Sequence, residues 1–544
     1  MSKVPNPGLF SKRALKQVLG ELPLTAEVYW QLRQQGKPLS KSFSLRRVEK
    51  KLPEWHAQVK ISRPAAASPG KKIFIFSTLL YWIEHATLLG MALAGLGHQV
   101  TLGYLPYANW RKPLNRFDLR RQNLYARSVL RQAAPALRPV SLLDVRPSNG
   151  DLPGALAAAI QEVSLRDAQY TLQVEEVDRQ GDLYRLRVER NTQAARAALA
   201  WFQANRPEVV ITPNGSIFEM GIIYQVARQL DLPVVTYEFG EQRGRIWQAL
   251  NAEVMRQETG ALWAARQDCP LTDPQWEQVR ALFASRQRAS LWENFSRLWQ
   301  GTPSQGGAQV RQALHLDERP IILLAANVIG DSLTLGRQVF SQSMTEWLER
   351  TVENFIRRPQ AQLVVRIHPG EKYTRGPSVA DVIRRVLAGL PAGAHSHIHL
   401  VEAGDLVNTY DLVEIADLGL VYTTTVGMEM AMSGVPVVVA GHTHYRGKGF
   451  TLDPDTWEGY FRLLDQILAA PDQARPARQQ VERAWHYAYR FFFEFPDPFP
   501  WHLLHFWKEL DTWPLERVLS VEGQAEFGAA FHYLSGETRI WSEG

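Results

Sequence analysis

The stretch DLGLVYTTTVGMEMAMSGVPVVVA, residues 417–440, decides the fold class of this chain. It begins and ends with short apolar runs, 417–422 and 435–440, and the second of them is rich in valine. Three threonines open the segment between them, and Gly434 closes it. A strand, a helix and a glycine turn before the next strand are typical of a parallel crossover unit. We therefore expect a parallel β-sheet in this part of the chain.

The same pattern recurs on both sides of this stretch. Apolar runs that predict further strands lie at 320–326, 362–368 and 398–401, and earlier in the chain at 72–77, 97–102, 209–215 and 232–237. A helix-like stretch at 84–96 lies between the first two of these earlier runs, and another at 218–230 lies between the last two. Repeated strand and helix units of this kind predict open parallel sheets. The expected fold class is therefore α/β.

The length of 544 residues is several times that of one cooperative core, so we expect two large domains. A passage rich in Pro, Ala, Ser and Gly ends at residue 70, and Thr302 to Gly307 forms a second break. These breaks predict the following domains: a basic arm and linker at 1–70, a first Rossmann-like domain at 71–305 with a helical insert at about 250–300, a second at 306–470, and a helical, aromatic tail at 471–544.

The positive charge is concentrated at the amino-terminal end. Residues 1–70 hold 13 Lys or Arg against four Glu, whereas the whole chain has a net charge of +6. The rest is slightly acidic, which argues against a nucleic-acid-binding protein. We interpret the basic segment as a solvated, partly helical arm, with contact to an anionic membrane surface as the alternative.

The remaining composition points to the cytoplasm. Cys269 is the single cysteine, so no disulfide can form within the chain. The first 20 residues lack the apolar stretch of a signal peptide. The longest apolar stretch, 73–97, contains Glu84 and His85 and is expected to be a buried strand and helix.

Ligands of parallel sheets gather at the carboxyl ends of the strands, and three such ends carry unusual residues. His368-Pro369 follows one strand, where the proline fixes the backbone beside the imidazole. Thr423 to Thr425 follow another, and hydroxyls at a helix start suit a phosphate. The alternatives are a loop histidine and ordinary helix capping. The third end, Gly441 to Thr451, suits a loop over a phosphorylated ligand, and a metal site at His442 and His444 is disfavoured.

The runs RIHPGE at 366–371 and YTTTVGMEMAMSGVPVVVAGHTHYRGKGFT at 422–451 resemble the bacterial capsular-polysaccharide biosynthesis transferases. The best understood members of that family are Kdo transferases with CMP-activated donors, and sialyltransferases with a His-Pro motif are similar more distantly. The resemblance covers residues 320–500, and the second motif is all threonine here where the family is often serine-rich. It implies a GT-B fold of two facing domains, with the active site in the cleft between them.

The donor site implied by the motifs lies in the second domain, needs no metal and no cofactor, and binds the nucleotide sugar as a substrate. Glu429 is expected to accept ribose hydroxyls. The residues assigned to this site are Arg366, His368, Pro369, Thr423, Thr424, Thr425, Gly427, Glu429 and Tyr445.

The first domain should supply the acceptor site and a catalytic carboxylate. Our candidates for the carboxylate are Glu238 and Glu241, which flank Phe-Gly after a strand, and then Glu84. Residues expected to bind the acceptor or to face the cleft are Asn214, Gly215, Arg243, Asn327 and Asp331.

The sequence therefore predicts a metal-independent glycosyltransferase that moves a sugar from a nucleotide donor, with a CMP-linked acidic sugar such as Kdo favoured over a UDP sugar. The expected acceptor is a surface polysaccharide or a lipid-linked glycan. The expected location is the cytoplasm, including the inner face of the membrane. Two alternatives stay open: a nucleotide-sugar 2-epimerase, and a non-catalytic nucleotide-binding subunit of a polysaccharide export assembly.

Overall fold

The structure is a computed structural model that describes residues 12–34, 36–62, 70–147, 150–240, 242–289, 301–391 and 393–541. Twelve strands form two sheets. In chain order they are β1 (Lys72–Thr78), β2 (Gln99–Leu105), β3 (Leu137–Ser141), β4 (Val209–Pro213), β5 (Val234–Glu238), β6 (Arg245–Leu250), β7 (Ile321–Ala325), β8 (Gln362–Arg366), β9 (Ile398–Val401), β10 (Leu418–Val421), β11 (Val437–Val439) and β12 (Asp497–Pro498).

Twenty α-helices surround the sheets in the described part of the chain. They are α1 (Lys12–Glu21), α2 (Thr25–Tyr29), α3 (Arg46–Ser62), α4 (Leu80–Gly95), α5 (Arg116–Leu130), α6 (Gly154–Leu172), α7 (Asp182–Asn205), α8 (Phe218–Gln229), α9 (Gly260–Arg266), α10 (Asp273–Gln287), α11 (Gly307–Ala313), α12 (Met344–Ile356), α13 (Val379–Leu387), α14 (Thr409–Glu414), α15 (Val426–Met432), α16 (Trp457–Ala469), α17 (Arg478–Tyr489), α18 (Phe506–Thr512), α19 (Leu515–Leu519) and α20 (Val521–Leu534). None of these helices is both long enough and apolar enough to cross a bilayer.

The first sheet has seven strands in the order β12-β6-β5-β4-β1-β2-β3. Strands β1 to β5 are parallel, with Ile73 of β1 opposite both Val100 and Val209. Strands β6 and β12 add an antiparallel edge. The first sheet is therefore mixed, where the sequence predicted a parallel one, because the chain turns back directly after β5.

The second sheet has five parallel strands in the order β11-β10-β7-β8-β9, with Leu323 of β7 opposite Val364 and Gly419. Its central strands are buried on both faces, which explains their unbroken apolar sequences. The prediction of an α/β protein with two Rossmann-like domains, a GT-B-like architecture with extra helices at both ends of the chain, is confirmed.

The helical insert packs with a different domain from the one that the sequence suggested, whereas the carboxy-terminal tail was expected to pack back on the domains. Residues of α9 and α10, assigned above to the first domain, are buried against the second sheet together with Met428 and Met430. The carboxy-terminal residues from Phe499 to Leu534 contribute to the core of the first domain. The chain therefore crosses between the domains before the insert and again within the tail. The apolar side chains of these segments are buried in the core of the domain that they reach.

The amino-terminal segment is also more ordered than a solvated arm. In α3, four side chains on one face are buried in the core of the first domain: Val48, Leu52, Trp55 and Val59. A helix with so large a buried face is part of the domain. The linker at 63–69 lies outside the described residues.

Candidate active site

A cleft of about 550 Å³ lies at the carboxyl ends of β7, β8 and β10. The chain runs outward from β7 through β8 to β9 and returns to the other side of β7 as β10. Parallel sheets bind ligands at such a reversal of strand order. Tyr170 and Gln173, from the end of α6, complete the lining from the first domain. The cleft therefore lies between the two domains.

Arg366, at the end of β8, lines this cleft while almost wholly buried. Its guanidinium donates to the backbone carbonyls of Glu402 at 2.6 Å and Val407 at 3.1 Å. Burial lowers the pKa of Arg366 to about 10, so the side chain is still cationic at neutral pH. Arg366 thus fixes the loop after β9 and places a positive charge at the cleft.

His368 and Pro369 also line the cleft, as predicted from the His-Pro motif. The proline begins a short 3₁₀ turn, Pro369–Tyr373. Nδ1 of His368 accepts the backbone N–H of Gly370 at 3.0 Å. The neutral imidazole therefore carries its proton on Nε2 and presents a donor rather than an acceptor on that side.

The three threonines have different environments. Thr424 and Thr425 line the cleft, whereas Thr423 is buried and its backbone N–H donates to Asn327 Oδ1 at 3.1 Å. The hydroxyl of Tyr445 donates to the carbonyl of Thr424 at 2.6 Å. Hydrogen bonds with Asn327 and Tyr445 thus hold the turn between β10 and α15 in place. Asn327, expected at the cleft, also lines it.

Gly427 and Tyr445 support this turn and do not line the cleft. Tyr445 is fully buried. A Cβ at position 427 would overlap the Tyr445 hydroxyl and would lie 2.8 Å from Cγ2 of Val421. Only glycine therefore lets the tyrosine reach the carbonyl of Thr424.

Glu429 is buried in an ion pair rather than exposed to a ribose. One carboxylate oxygen lies 2.7 Å from Nη2 of Arg286, and both side chains are about 97% buried. Arg286 itself lines the cleft, and its Nε donates to the Tyr410 hydroxyl at 3.2 Å. Arg286 could not be predicted from the motifs, because it lies on α10, far from them along the chain.

Two carboxylates from opposite domains lie near the ring of Tyr170. Asp331 lines the cleft, and burial raises its pKa. Glu238 ends β5 in the first domain, outside the residues that line the cleft, and burial raises its pKa as well. Burial and the negative charges of Asp331 and Glu238 raise the pKa of Tyr170 in turn. A carboxylate whose charged form is poorly solvated is a stronger base than one in water.

The carboxylate of Glu238 has a fixed orientation. Asn214 Nδ2 donates to Oε2 at 3.1 Å, and the backbone N–H of Phe239 donates to Oε1 at 3.0 Å. The amide oxygen of Asn214 accepts the backbone N–H of Ser216 at 3.1 Å, which sets the amide orientation. Asn214 is therefore a positioning residue for the carboxylate. Gly215 has a φ of +83° and forms the turn that follows.

The other predicted residues of the first domain lie elsewhere. Glu84 is buried within α4, where Trp507 Nε1 donates to it at 3.3 Å, and the lining of the cleft does not include it. Arg243 also lies outside that lining; burial raises the pKa of Glu509 to about 7, and the charge of Arg243 partly opposes that shift. Glu241 lies outside the described residues. Glu84 and Arg243 were assigned to the site because sequence alone does not show which strand ends face the second domain.

The end of α6 clasps the second domain beside the cleft. The carboxylate of Glu175 accepts the backbone N–H groups of Met344 and Thr345 at 2.7 and 2.9 Å, at the start of α12. Gln173 Oε1 accepts the backbone N–H of Arg375 at 2.9 Å. A Cβ at Gly376 would overlap the carbonyl of Gln173. The two domains are thus in close contact on this side of the cleft.

No family model matches the sequence, and no curated protein matches it. Solved structures with a similar fold include the β-Kdo 2,4 transferase KpsC from Thermosulfurimonas dismutans, at 18% identity over 52% of this chain and 79% of that chain, with a TM-score of 0.31. A UDP-GlcNAc 2-epimerase from Neisseria meningitidis is similar at 12% identity over 78% and 98%, with a TM-score of 0.25. A glycosyltransferase from Rickettsia africae ESF-5 is similar at 9% identity over 87% and 100%, with a TM-score of 0.29.

All three TM-scores lie below 0.5, and these matches assign no function to this chain.

Proposed function

We propose that this protein is a glycosyltransferase that moves a sugar from a nucleotide donor to a glycan acceptor. The observation that carries the proposal is the cleft between the domains, lined by His368, Thr424, Thr425 and the carboxylate of Asp331. Its volume of about 550 Å³ suits a nucleotide-sized ligand.

The donor nucleotide binds along the second domain. Its phosphate lies against the threonine turn, where the hydroxyls of Thr424 and Thr425 donate to the phosphate oxygens and the charge of Arg366 stabilises the anion. His368 donates from Nε2 to the ribose or the phosphate. The site takes its positive charge from arginines, so the proposed reaction uses neither a metal nor a cofactor.

The reaction takes place where the two domains meet. Glu238 accepts the proton of the acceptor hydroxyl, whose oxygen then bonds to the anomeric carbon of the donor sugar. The bond from that carbon to the phosphate oxygen breaks, and the nucleotide leaves with the electron pair. Arg366 and the threonine turn stabilise the negative charge that develops on the phosphate.

The finer assignments follow the resemblance of the motifs. We favour a CMP-linked acidic sugar such as Kdo as the donor, and a surface polysaccharide or lipid-linked glycan at the cytoplasmic face of the membrane as the acceptor. An acidic sugar suits a cleft that is lined by the cation Arg366, whose guanidinium donates to two backbone carbonyls and to the Thr409 hydroxyl.

A product assay separates this proposal from its alternatives. The protein is incubated with CMP-Kdo or UDP-N-acetylglucosamine, with and without a Kdo-terminated glycolipid, and the products are identified by mass spectrometry. We expect release of CMP that depends on the acceptor, together with an extended glycolipid. Release of UDP without acceptor would show the 2-epimerase instead, and nucleotide binding without turnover of any donor would show a silent binding subunit.

A further inference from the structure

The amino-terminal helices expose a row of apolar side chains. Leu15, Val18 and Leu22 lie three and four residues apart on α1 and just after it, and Leu24, Val28 and Leu32 continue the row along α2 and the π-helical turn that follows. Each of the six is between 48% and 67% exposed. We call these six side chains the α1–α2 apolar face. A contiguous surface of this kind is a mark of an interaction site.

The opposite side of these helices is attached to α5. A Cβ at Gly20 would lie 2.8 Å from the backbone nitrogen of Phe117, and the ring of Tyr29 lies 5.6 Å from the Phe117 ring. Lys16 Nζ lies 2.7 Å from the carboxylate of Asp118. The helices are therefore held on the first domain with the apolar face directed away from it.

The charges around this face are positive. The two glutamates of α1 and α2, Glu21 and Glu27, form ion pairs with Arg116 and Arg120 of α5. Beyond Leu32 follow three exposed cations, Arg33, Lys37 and Lys41, and none of them is in an ion pair within the described part of the chain. These three residues follow the apolar face in the chain, and we call them its basic rim.

We propose that the α1–α2 apolar face and its basic rim dock the protein on the surface of an anionic lipid bilayer. Exposed Leu and Val side chains on short helices, beside Lys and Arg, are the features of a helix that lies in the plane of a membrane interface. Anionic headgroups attract the rim, and the interfacial region accepts the apolar side chains. A negatively charged bilayer is the partner that complements both parts of this surface.

The docking surface is carried by α5, and the loop that precedes α5 contacts a segment beside the cleft. The loop from β2 to α5 carries Arg111, whose Nη2 donates to the carbonyl of Thr171 at 3.2 Å. Thr171 directly follows Tyr170 of the cleft. Docking would therefore hold the cleft close to the bilayer and to a lipid-linked acceptor. This last consequence rests on the proposed function, whereas the docking itself does not.

The test is sedimentation of the full-length protein with vesicles of phosphatidylcholine and phosphatidylglycerol, compared with vesicles of phosphatidylcholine alone. In the apolar variant, Leu15, Val18 and Leu32 are each replaced by Gln. We expect wild-type protein to sediment with the anionic vesicles, and the apolar variant to partition at least about tenfold more weakly. The matched control carries Leu504→Gln, Val521→Gln and Ile540→Gln at positions elsewhere that are still more exposed, and it should partition like the wild type.

A second variant addresses the rim, with Arg33, Lys37 and Lys41 each replaced by Gln. Each lost charge is expected to weaken partition by about fivefold, and raised salt should have the same effect on the wild type. Circular dichroism and Tm confirm that each variant is folded.

Three outcomes would overturn the proposal. They are equal partition of the apolar variant and the wild type, equal binding to neutral and anionic vesicles, or a wild-type dimer that the apolar variant converts to a monomer. The dimer would show that a second copy covers this face. Sedimentation needs neither donor nor acceptor, so its failure is independent of any failure of the proposed function.

Discussion

Glu238 shows how the surroundings of one residue give it a possible role. The side chain ends a parallel strand, is oriented by Asn214 and by a backbone N–H, and is poorly solvated. Burial disfavours the charged form and thereby raises the pKa, while the two hydrogen bonds oppose the shift. A general base needs both features, a fixed direction and increased basicity.

We expect Glu238→Gln to lower kcat by about 10²- to 10⁴-fold while leaving the Kd of the nucleotide unchanged. The base must be deprotonated, so wild-type kcat/KM should fall as the pH drops through a pKa above the ordinary glutamate value. Steady-state kinetics across pH 4 to 9 measures this acidic limb of the pH profile of kcat/KM. The limb should be absent in Glu238→Gln. Asp331→Asn is the matched comparison, and loss of the limb in that variant alone would assign the base to Asp331 instead.

At the scale of an element, the turn between β10 and α15 depends on a contact behind it. Gly427 leaves room for the Tyr445 hydroxyl, which donates to the carbonyl of Thr424. We expect Gly427→Ala to displace the tyrosine, to destabilise the protein by about 1–3 kcal/mol and to weaken nucleotide binding. Chemical denaturation and calorimetric titration measure the two effects.

Tyr445→Phe provides the control for this contact. By itself it should cost about 1 kcal/mol for the lost hydrogen bond. In the double variant the missing hydroxyl removes the overlap. The double variant should therefore be destabilised by less than the sum of the destabilisations of the two single variants. Strict additivity would show that the glycine and the tyrosine do not meet.

The packing of α4 against the carboxy-terminal tail should make stability depend on pH. Burial raises the pKa of Glu84 to about 7. Between the unfolded pKa and pH 7 the folded state binds more protons than the unfolded state, so this group lowers stability as the pH rises. Glu84→Gln should therefore stabilise the protein by about 1–3 kcal/mol at pH 8 and have almost no effect at pH 4. Urea denaturation at both pH values checks this, and an equal effect at both would contradict it.

The elements of the two sheets were largely predictable from local sequence. Apolar runs bounded by glycine and proline predicted β1, β2, β4, β5 and all strands of the second sheet, because strands buried on both faces have unbroken apolar sequences. Strands β3, β6 and β12 lie at or beside the sheet edges, where polar residues such as Arg138 and Arg245 interrupt the pattern. The candidate site was predictable where consecutive residues form it, as at His368 and Thr424. Arg286 and Tyr170 were not predictable, because the tertiary fold brings them there.

At the scale of the whole molecule, contacts between the domains determine the width of the cleft. Gly376 allows the end of α6 to approach, and a Cβ there would overlap the carbonyl of Gln173. We expect Gly376→Ala to hold the domains further apart, to raise the KM for the donor and to increase the radius of gyration in small-angle X-ray scattering. Gly404→Ala is the control, since a Cβ at Gly404 meets no atom within 4 Å. Unchanged kinetics in Gly376→Ala would show that the clasp does not affect the cleft.

The arrangement of the chain also explains why the domains could not be separated by sequence alone. Residues 260–287 pack with the second domain, and residues 499–534 return to the first. Deletion of residues 1–63 would remove α3, whose Trp55 is fully buried in the core of the first domain. Point substitutions on the surface are therefore the appropriate test of the amino-terminal helices.

The central claim is that the cleft at the carboxyl end of the second sheet binds the nucleotide of the donor. Calorimetric titration of CMP, CDP, UDP and GDP into the wild type, into His368→Ala and into the exposed-histidine control His532→Ala tests it most directly. We expect that CMP binds best, that His368→Ala weakens this binding by about 1–3 kcal/mol and that His532→Ala does not. Best binding of UDP would contradict the donor assignment, and equal binding to the wild type and His368→Ala would contradict the location of the site.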